Sequence, residues 1–112
     1  MVYKILRPSE WKEMEDSGVF LGSGDDKRDG FIHFSSAPQV YTTCSEHFGQ
    51  EDPVWLVAVD AGRLGPMLKW EVSRGGERFP HLYGPLLLSS VESVTEIRRG
   101  ADGRPMFPAE IP

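Results

Sequence analysis

Two histidines sit in stretches that invite a chemical reading. His33 lies in Asp29-Gly30-Phe31-Ile32-His33-Phe34-Ser35-Ser36, and His81 in Phe79-Pro80-His81-Leu82-Tyr83-Gly84-Pro85. Extended backbone sends successive side chains to opposite faces. A strand from Phe31 to Ser35 therefore turns Ile32 and Phe34 toward a core at no polar cost. It also sets His33 and Ser35 together on the other face, about 7 Å apart. A helix start at Ser36 follows at once, and the first N–H groups of a helix lack partners and favour anions. The plainer alternative is a half-buried His33 hydrogen-bonded to backbone. The 79–85 stretch holds too much Pro and Gly for regular structure, yet carries two aromatic rings and an imidazole. Surface loops seldom hold such side chains without packing or function behind them.

Other chemistries lack their spacing. No His-x-His, His-x-x-x-His or Cys-x-x-Cys pair occurs, so a metal set of His33, His81 and Glu71 has no signature and no metal is expected. There is no Gly-x-Ser-x-Gly elbow and no Walker loop, and Gly22-Ser23-Gly24 is too short for a dinucleotide fingerprint. Val40, Cys44 and Phe48 recur every four residues, one helical stripe, so Cys44 reads as a small core residue. His47, beside that stripe, reads as surface.

The chain of 112 residues fits one domain over 1–112, with 100–112 a Pro- and Gly-containing tail laid across the surface. Seventeen acidic against twelve basic residues give a net charge of −5, which argues against a general nucleic-acid binder but not against a local phosphate site. Arg98, Arg99 and Arg104 read as solvated arginines. No apolar run is long enough to span a membrane, no signal-peptide pattern opens the chain and the single cysteine forms no internal disulfide, so a cytoplasmic protein is expected.

The elements that must position the histidines follow in order. Val2–Leu6 is β-prone and stopped by Pro8. Ser9 caps a helix with Glu10 in its first turn, Trp11 and Met14 on one face and Gly18 at its end. Residues 22–30 read as a mobile polar loop beside the His33 strand, either a closing flap or a mere connector. Ser36-Ala37-Pro38-Gln39 is a capping box. After a turn at 50–53, the continuous apolar run Val54–Val59 predicts a strand covered on both faces. Residues 61–67 make a tight connection. Leu68–Val72 alternates, with Leu68, Trp70 and Val72 on one face and Lys69 and Glu71 on the other. Residues 73–78 form a Gly-Gly loop, and 91–97 a last strand. The sum is α+β: a mixed, mostly antiparallel sheet of five or six strands with two helices.

Four segments together carry a resemblance. The 29–35 and 79–86 stretches, Leu68-Lys69-Trp70-Glu71 and Val59-Asp60-Ala61-Gly62-Arg63-Leu64-Gly65 resemble, in order, the hallmark segments of the bacterial family called domain of unknown function 952. The family is distantly similar to the ADP-ribosyltransferase-like fold, and the order here resembles the layout of RNA 2′-phosphotransferases. The resemblance implies a small, nucleotide-like ligand, NAD or ADP-ribose. It gives His33 and Glu71 the catalytic roles and Lys4, Ser35, His81 and Tyr83 the binding roles. His33 would meet the ribose or nicotinamide end, Ser35 would add a hydrogen bond, Tyr83 would stack on nicotinamide, and Glu71 would orient a ribose hydroxyl or steady an oxocarbenium-like transition state. Glu77 is the second candidate for that carboxylate. This chain departs from the family in its first strand, where Tyr3-Lys4 replaces Tyr-His. A lysine has three donors and no acceptor, so it suits a phosphate but not the work of a neutral imidazole.

Three expectations result. The chain is an enzyme, or degenerate enzyme, of ADP-ribosyltransferase type. Alternatively it is a non-catalytic module for a small anion in the same cleft. In the third reading, His33, His81 and Tyr83 form a buried polar cluster that only fixes a loop onto the sheet.

Overall fold

The apolar run at 54–59 becomes β4 (Val54–Val59), the middle strand of an antiparallel sheet, between β1 (Val2–Leu6) and β8 (Val91–Ile97). In the computed structural model, which describes residues 1–49 and 51–111, both faces of this sheet are covered. Gln50, the first residue of the expected 50–53 turn, and Pro112, the last of the tail, lie outside the described residues. Strand alternation divides the core. Val2, Leu6, Val57 and Val59 face one cluster, with Met14, Phe20, Ile32, Phe34, Leu82 and Leu86. Tyr3, Ile5, Val54, Leu56 and Ala58 face the other, with Val40, Cys44 and Ile97. Lys4 shares the face of Val2 and Leu6, so its side chain enters the first cluster's side.

The fold is α+β, with more and shorter pieces than expected. Four α-helices occur among the described residues: α1 (Pro8–Ser17), α2 (Gly24–Asp29), α3 (Ala37–His47) and α4 (Ala61–Leu64). The expected single mixed sheet is instead three small antiparallel sheets. Besides β1-β4-β8 there is the pair of β2 (Val19–Phe20) and β7 (Leu86–Leu87). The third has the order β3-β6-β5, from β3 (Ile32–His33), β6 (Arg78–Leu82) and β5 (Leu68–Val72).

Several local expectations hold. Gly18 ends α1 at φ 81°, Pro38 sits in the first turn of α3, and the Ser36 N–H donates to Gln39 Oε1 at 3.0 Å. Others need correction. The cap of α1 is Arg7, with Pro8 in the first turn, and Glu10 Oε1 accepts from the Arg7 N–H at 2.8 Å; Ser9 lies inside the helix. Residues 22–30 are not a loop but α2 with its caps. Only Ile32 and His33 of the 31–35 stretch lie in a strand. Ser35 instead exchanges two 2.8 Å backbone hydrogen bonds with Tyr3, tying the His33 segment to β1.

Pro80 and His81 are in the centre of a sheet, against the expectation of irregular backbone. The Pro80 carbonyl accepts from the Phe34 N–H at 2.9 Å. In an antiparallel strand a residue's N and C=O point to the same side. The donor that proline lacks therefore faces Phe34, one residue past the end of short β3, and the β5 ladder loses nothing. On β5 itself Trp70 and Val72 are 45% and 61% exposed, because their face is not covered. Arg99 is no solvated arginine. It donates to the carbonyls of Phe48, Glu51 and Gly103 and so clamps the tail. Phe107 and Ile111 of that tail pack on the second cluster.

Candidate functional site

The polar loop that became α2 supplies the residue around which the site is built. Ser23 caps α2: its N–H donates to Asp26 Oδ2 at 2.9 Å, while its Oγ accepts from the Asp26 N–H at 3.4 Å. Gly30, at φ 86°, closes the helix by donating to the Asp26 carbonyl. A cap ordinarily leaves its carboxylate in water. Here Asp26 is 2% exposed, pointing inward to Lys4 of β1 and His33 of β3. Oδ2 receives Lys4 Nζ at 3.1 Å, and Oδ1 receives the His33 N–H at 3.1 Å and faces His33 Nδ1 at 2.6 Å. Burial alone would push this carboxyl up. The His33 ring, the Lys4 ammonium and the N–H groups of Ser23 and His33 outweigh it and hold Asp26 well below the usual carboxylate range. Lys4 is also pushed below its usual value: burial lowers it more than Asp26 raises it.

His81 lies directly opposite His33 in the β3–β6 register, with ring centroids 5.7 Å apart. Its Nδ1 meets Glu71 Oε1, on β5, at 2.8 Å, and the Tyr83 hydroxyl donates to the same oxygen at 2.6 Å. Tyr83 and, secondly, His81 hold Glu71 below its ordinary value, while Glu71 pushes the Tyr83 phenol up. Phe31 stacks on His81 at 4.0 Å and leans on His33 and Tyr83 at 4.7 and 5.3 Å. That wall of rings fixes both imidazoles in place.

The two imidazoles open onto a cleft of about 300 Å³, at the small end of ligand-site volumes. Lys4, Ser35, His33 and His81 line it, as do Arg7, Arg28, Arg74, Asp29 and, from α3, His47. Glu71 and Tyr83 do not. Glu71 stands behind His81 and touches the cleft only through that ring, so its expected place directly against a ribose is not where the chain puts it. Tyr83 is on the outer side, tilted against Phe31. Glu77 is exposed at the β5–β6 turn and is likewise absent from the cleft wall. Ser35 is buried, with its Oγ 2.9 Å from Thr43 Oγ1. Arg74 donates to Thr43 Oγ1 at 3.0 Å and lies 4.6 Å over the Phe79 ring.

Asp26, Asp29, Arg74 and the cleft-facing position of His47 escaped the sequence reading. Ser23-Gly24-Asp25-Asp26 ahead of Gly30 is a capping-box pattern and would have revealed α2. Nothing local signals that its carboxylate is buried. Cys44 is fully buried, its thiol pushed up to about 11 by burial, as suits a core residue. No three metal-ligating side chains cluster among the described residues, and no helix among them is long and apolar enough to cross a membrane.

By fold and site this is a small α+β protein with two carboxylate-held imidazoles facing each other on one cleft. The family described as Protein of unknown function (DUF952) matches residues 5–94, and the chain belongs to it. The crystal structure of protein CC0527 from Caulobacter crescentus is 47% identical, with a TM-score of 0.89 over 94% of this chain and 92% of that one. The solution NMR structure of CC0527 is 48% identical, with a TM-score of 0.83 over 93% and 90% of the two chains. No curated protein matches.

Proposed function

We propose that the cleft binds a small phosphorylated ligand of nucleotide size, with NAD and ADP-ribose as the first candidates. The observation that carries this is the convergence of His33 and His81 with Arg7, Arg28 and Arg74 on one concave wall. The His33 imidazole and the guanidinium groups offer donors that suit phosphate oxygens, and guanidinium presents a planar fork to them. The resemblance to ADP-ribosyltransferase-like proteins supports the choice of ligand. Glycosyl transfer of that kind needs a carboxylate beside the ribose. Asp29 lines the cleft and Glu71 does not, so ligand binding is the part of that reading the geometry favours most.

Lys4, at the first-strand position, would not meet a phosphate as a free charge, because Asp26 already holds it. Its role in the complex is to keep Asp26 ionised and aimed at His33. Titration calorimetry and amide-shift mapping with NAD and with ADP-ribose test the proposal. Saturable binding with shifts at His33, Ser35 and His81, lost in His33→Ala, is the expected outcome. Absence of heat and of shifts at millimolar ligand removes it. Release of nicotinamide from NAD by the wild-type protein would turn a binding module into a transferase.

A further inference from the structure

We infer that His81 and His33 form a general base and general acid couple for a phosphodiester that carries its own hydroxyl beside the phosphate. This rests on the cleft being a phosphate site. It is read from the hydrogen inventory of the two rings. A carboxylate oxygen only accepts. Glu71 Oε1, which also receives the Tyr83 hydroxyl, therefore places the ring hydrogen of His81 on Nδ1. In the neutral ring Nε2 then carries the lone pair, and no hydrogen bond joins it to a described residue. His33 differs: Nδ1 faces Asp26 Oδ1 at 2.6 Å and Nε2 faces Asp29 Oδ2 at 2.9 Å. Only the first is an aligned hydrogen bond; the second is an ion-pair contact, and both favour a ring with a hydrogen on each nitrogen because a carboxylate attracts an N–H and repels a lone pair. One ring is set to take a proton and the other to give one.

The two partners of His33 are not equivalent. Asp26 is buried and bound from several sides, whereas Asp29 is exposed on the cleft wall. An incoming ester oxygen can replace Asp29 at Nε2 and cannot replace Asp26. Directly opposed strand positions bring both rings within reach of a single phosphate group.

The attacking group would come from the ligand. Neither imidazole is hydrogen-bonded to a serine, threonine or cysteine among the described residues; Ser35 Oγ is engaged with Thr43, and Cys44 is buried. In the step, His81 Nε2 takes the proton of the ligand's hydroxyl as that oxygen forms a bond to phosphorus. The bond from phosphorus to the leaving oxygen breaks, and that oxygen takes a proton from His33 Nε2. The products are a cyclic phosphodiester and an alcohol, and solvent proton exchange resets the rings. Arg74 or Arg28 would offset charge on the phosphate oxygens. Glu71 and Asp26 are positioning residues.

The test incubates the full chain with uridylyl-3′,5′-adenosine and with its 2′-deoxyuridine counterpart, following products by phosphorus NMR. A 2′,3′-cyclic phosphate from the ribose substrate alone, with a bell-shaped pH–rate profile, is expected. His33→Ala and His81→Ala should each slow it by about 100-fold or more. His81 is buried, so folding of that variant is checked by circular dichroism. Glu71→Gln gives an independent reading: it frees the His81 tautomer and is expected to lower kcat several-fold with KM unchanged. No cyclic phosphate, or equal turnover in both histidine variants, overturns the inference. If the deoxy compound shifts the His33 and His81 amides while the ribose compound is not turned over, the acid–base couple falls and the binding site stands. If the deoxy compound, NAD and ADP-ribose all leave those amides unmoved, both fall.

Discussion

Asp26 and Glu71 each hold the Nδ1 edge of a histidine, at 2.6 and 2.8 Å, but from opposite kinds of surroundings. Asp26 is 2% exposed and shares its charge with Lys4, two backbone N–H groups and the His33 ring. Glu71 keeps 39% of its side chain in solvent and is bound by His81 and a tyrosine hydroxyl. One pair is fastened into the molecule and the other is hung on its edge strand. A buried ion pair is expensive to break from one side because it strands the partner's charge. A solvated one is not. The same carboxylate–imidazole unit therefore serves structure on the α2 side and orientation on the β5 side.

The comparison is broken most severely by Asp26→Ala, which leaves the Lys4 amine buried without its acceptor. A loss of about 3–5 kcal/mol is expected in urea unfolding. Lys4→Met should cost less, since Asp26 keeps its His33 and backbone donors. A loss no larger for Asp26→Ala than for Glu71→Gln would mean the two pairs are alike after all.

Acid pH sharpens the same contrast. Asp26 is held below its ordinary 3.8, so the folded state binds its proton more weakly than the unfolded state. Its contribution to stability is present above that value and is lost as pH falls below about 4. Urea midpoints measured from pH 6 to pH 3 should fall in wild type and fall less steeply in Asp26→Asn.

Glu71→Gln should leave stability nearly unchanged while altering the His81 tautomer, read from its ring nitrogen shifts by NMR. Large unfolding in that variant would make the His81 cluster a structural element, the third of the readings set out for these residues. Asp29→Asn removes the replaceable partner of His33 Nε2. Phosphate and ADP-ribose should bind it several-fold more tightly, without change in melting temperature; weaker binding would place Asp29 among the ligand's contacts. Tyr83→Phe should have the smallest effect. It removes one hydrogen bond to an oxygen that keeps His81 and water, and only the Glu71 titration, followed by carboxyl carbon shifts, is expected to rise.

The covered strand at 54–59, the Ser36 box, the Gly18 stop and the burial of Cys44 were legible because each depends on neighbours in sequence or on a simple period. The pairing of His33 with His81 was only suggested, since two unusual stretches do not announce that they adjoin. Asp26 was misjudged outright. Gly-Ser-Gly-Asp-Asp is what a solvent loop looks like, and only partners brought together by the fold, the His33 ring and a lysine 22 residues away on the inward face of β1, make burial of that carboxylate tolerable. Pro80 misled in the other direction: it reads as a breaker until its missing N–H is seen to face the end of short β3, where a single ladder bond is forgone. Trp70 and Val72 alternate as a buried face would, but β5 is an edge whose apolar side is left bare.

By itself the sequence determined the family, the α+β class, the apolar strands and the two histidine-bearing stretches, because apolar periodicity and cap residues act over a few positions. The tertiary structure decided which carboxylate holds which imidazole, which cations face the cleft and which charge is buried. Those depend on distances between β1, α2, β3, β5 and β6, and the electrostatics of a side chain follow from what surrounds it in space.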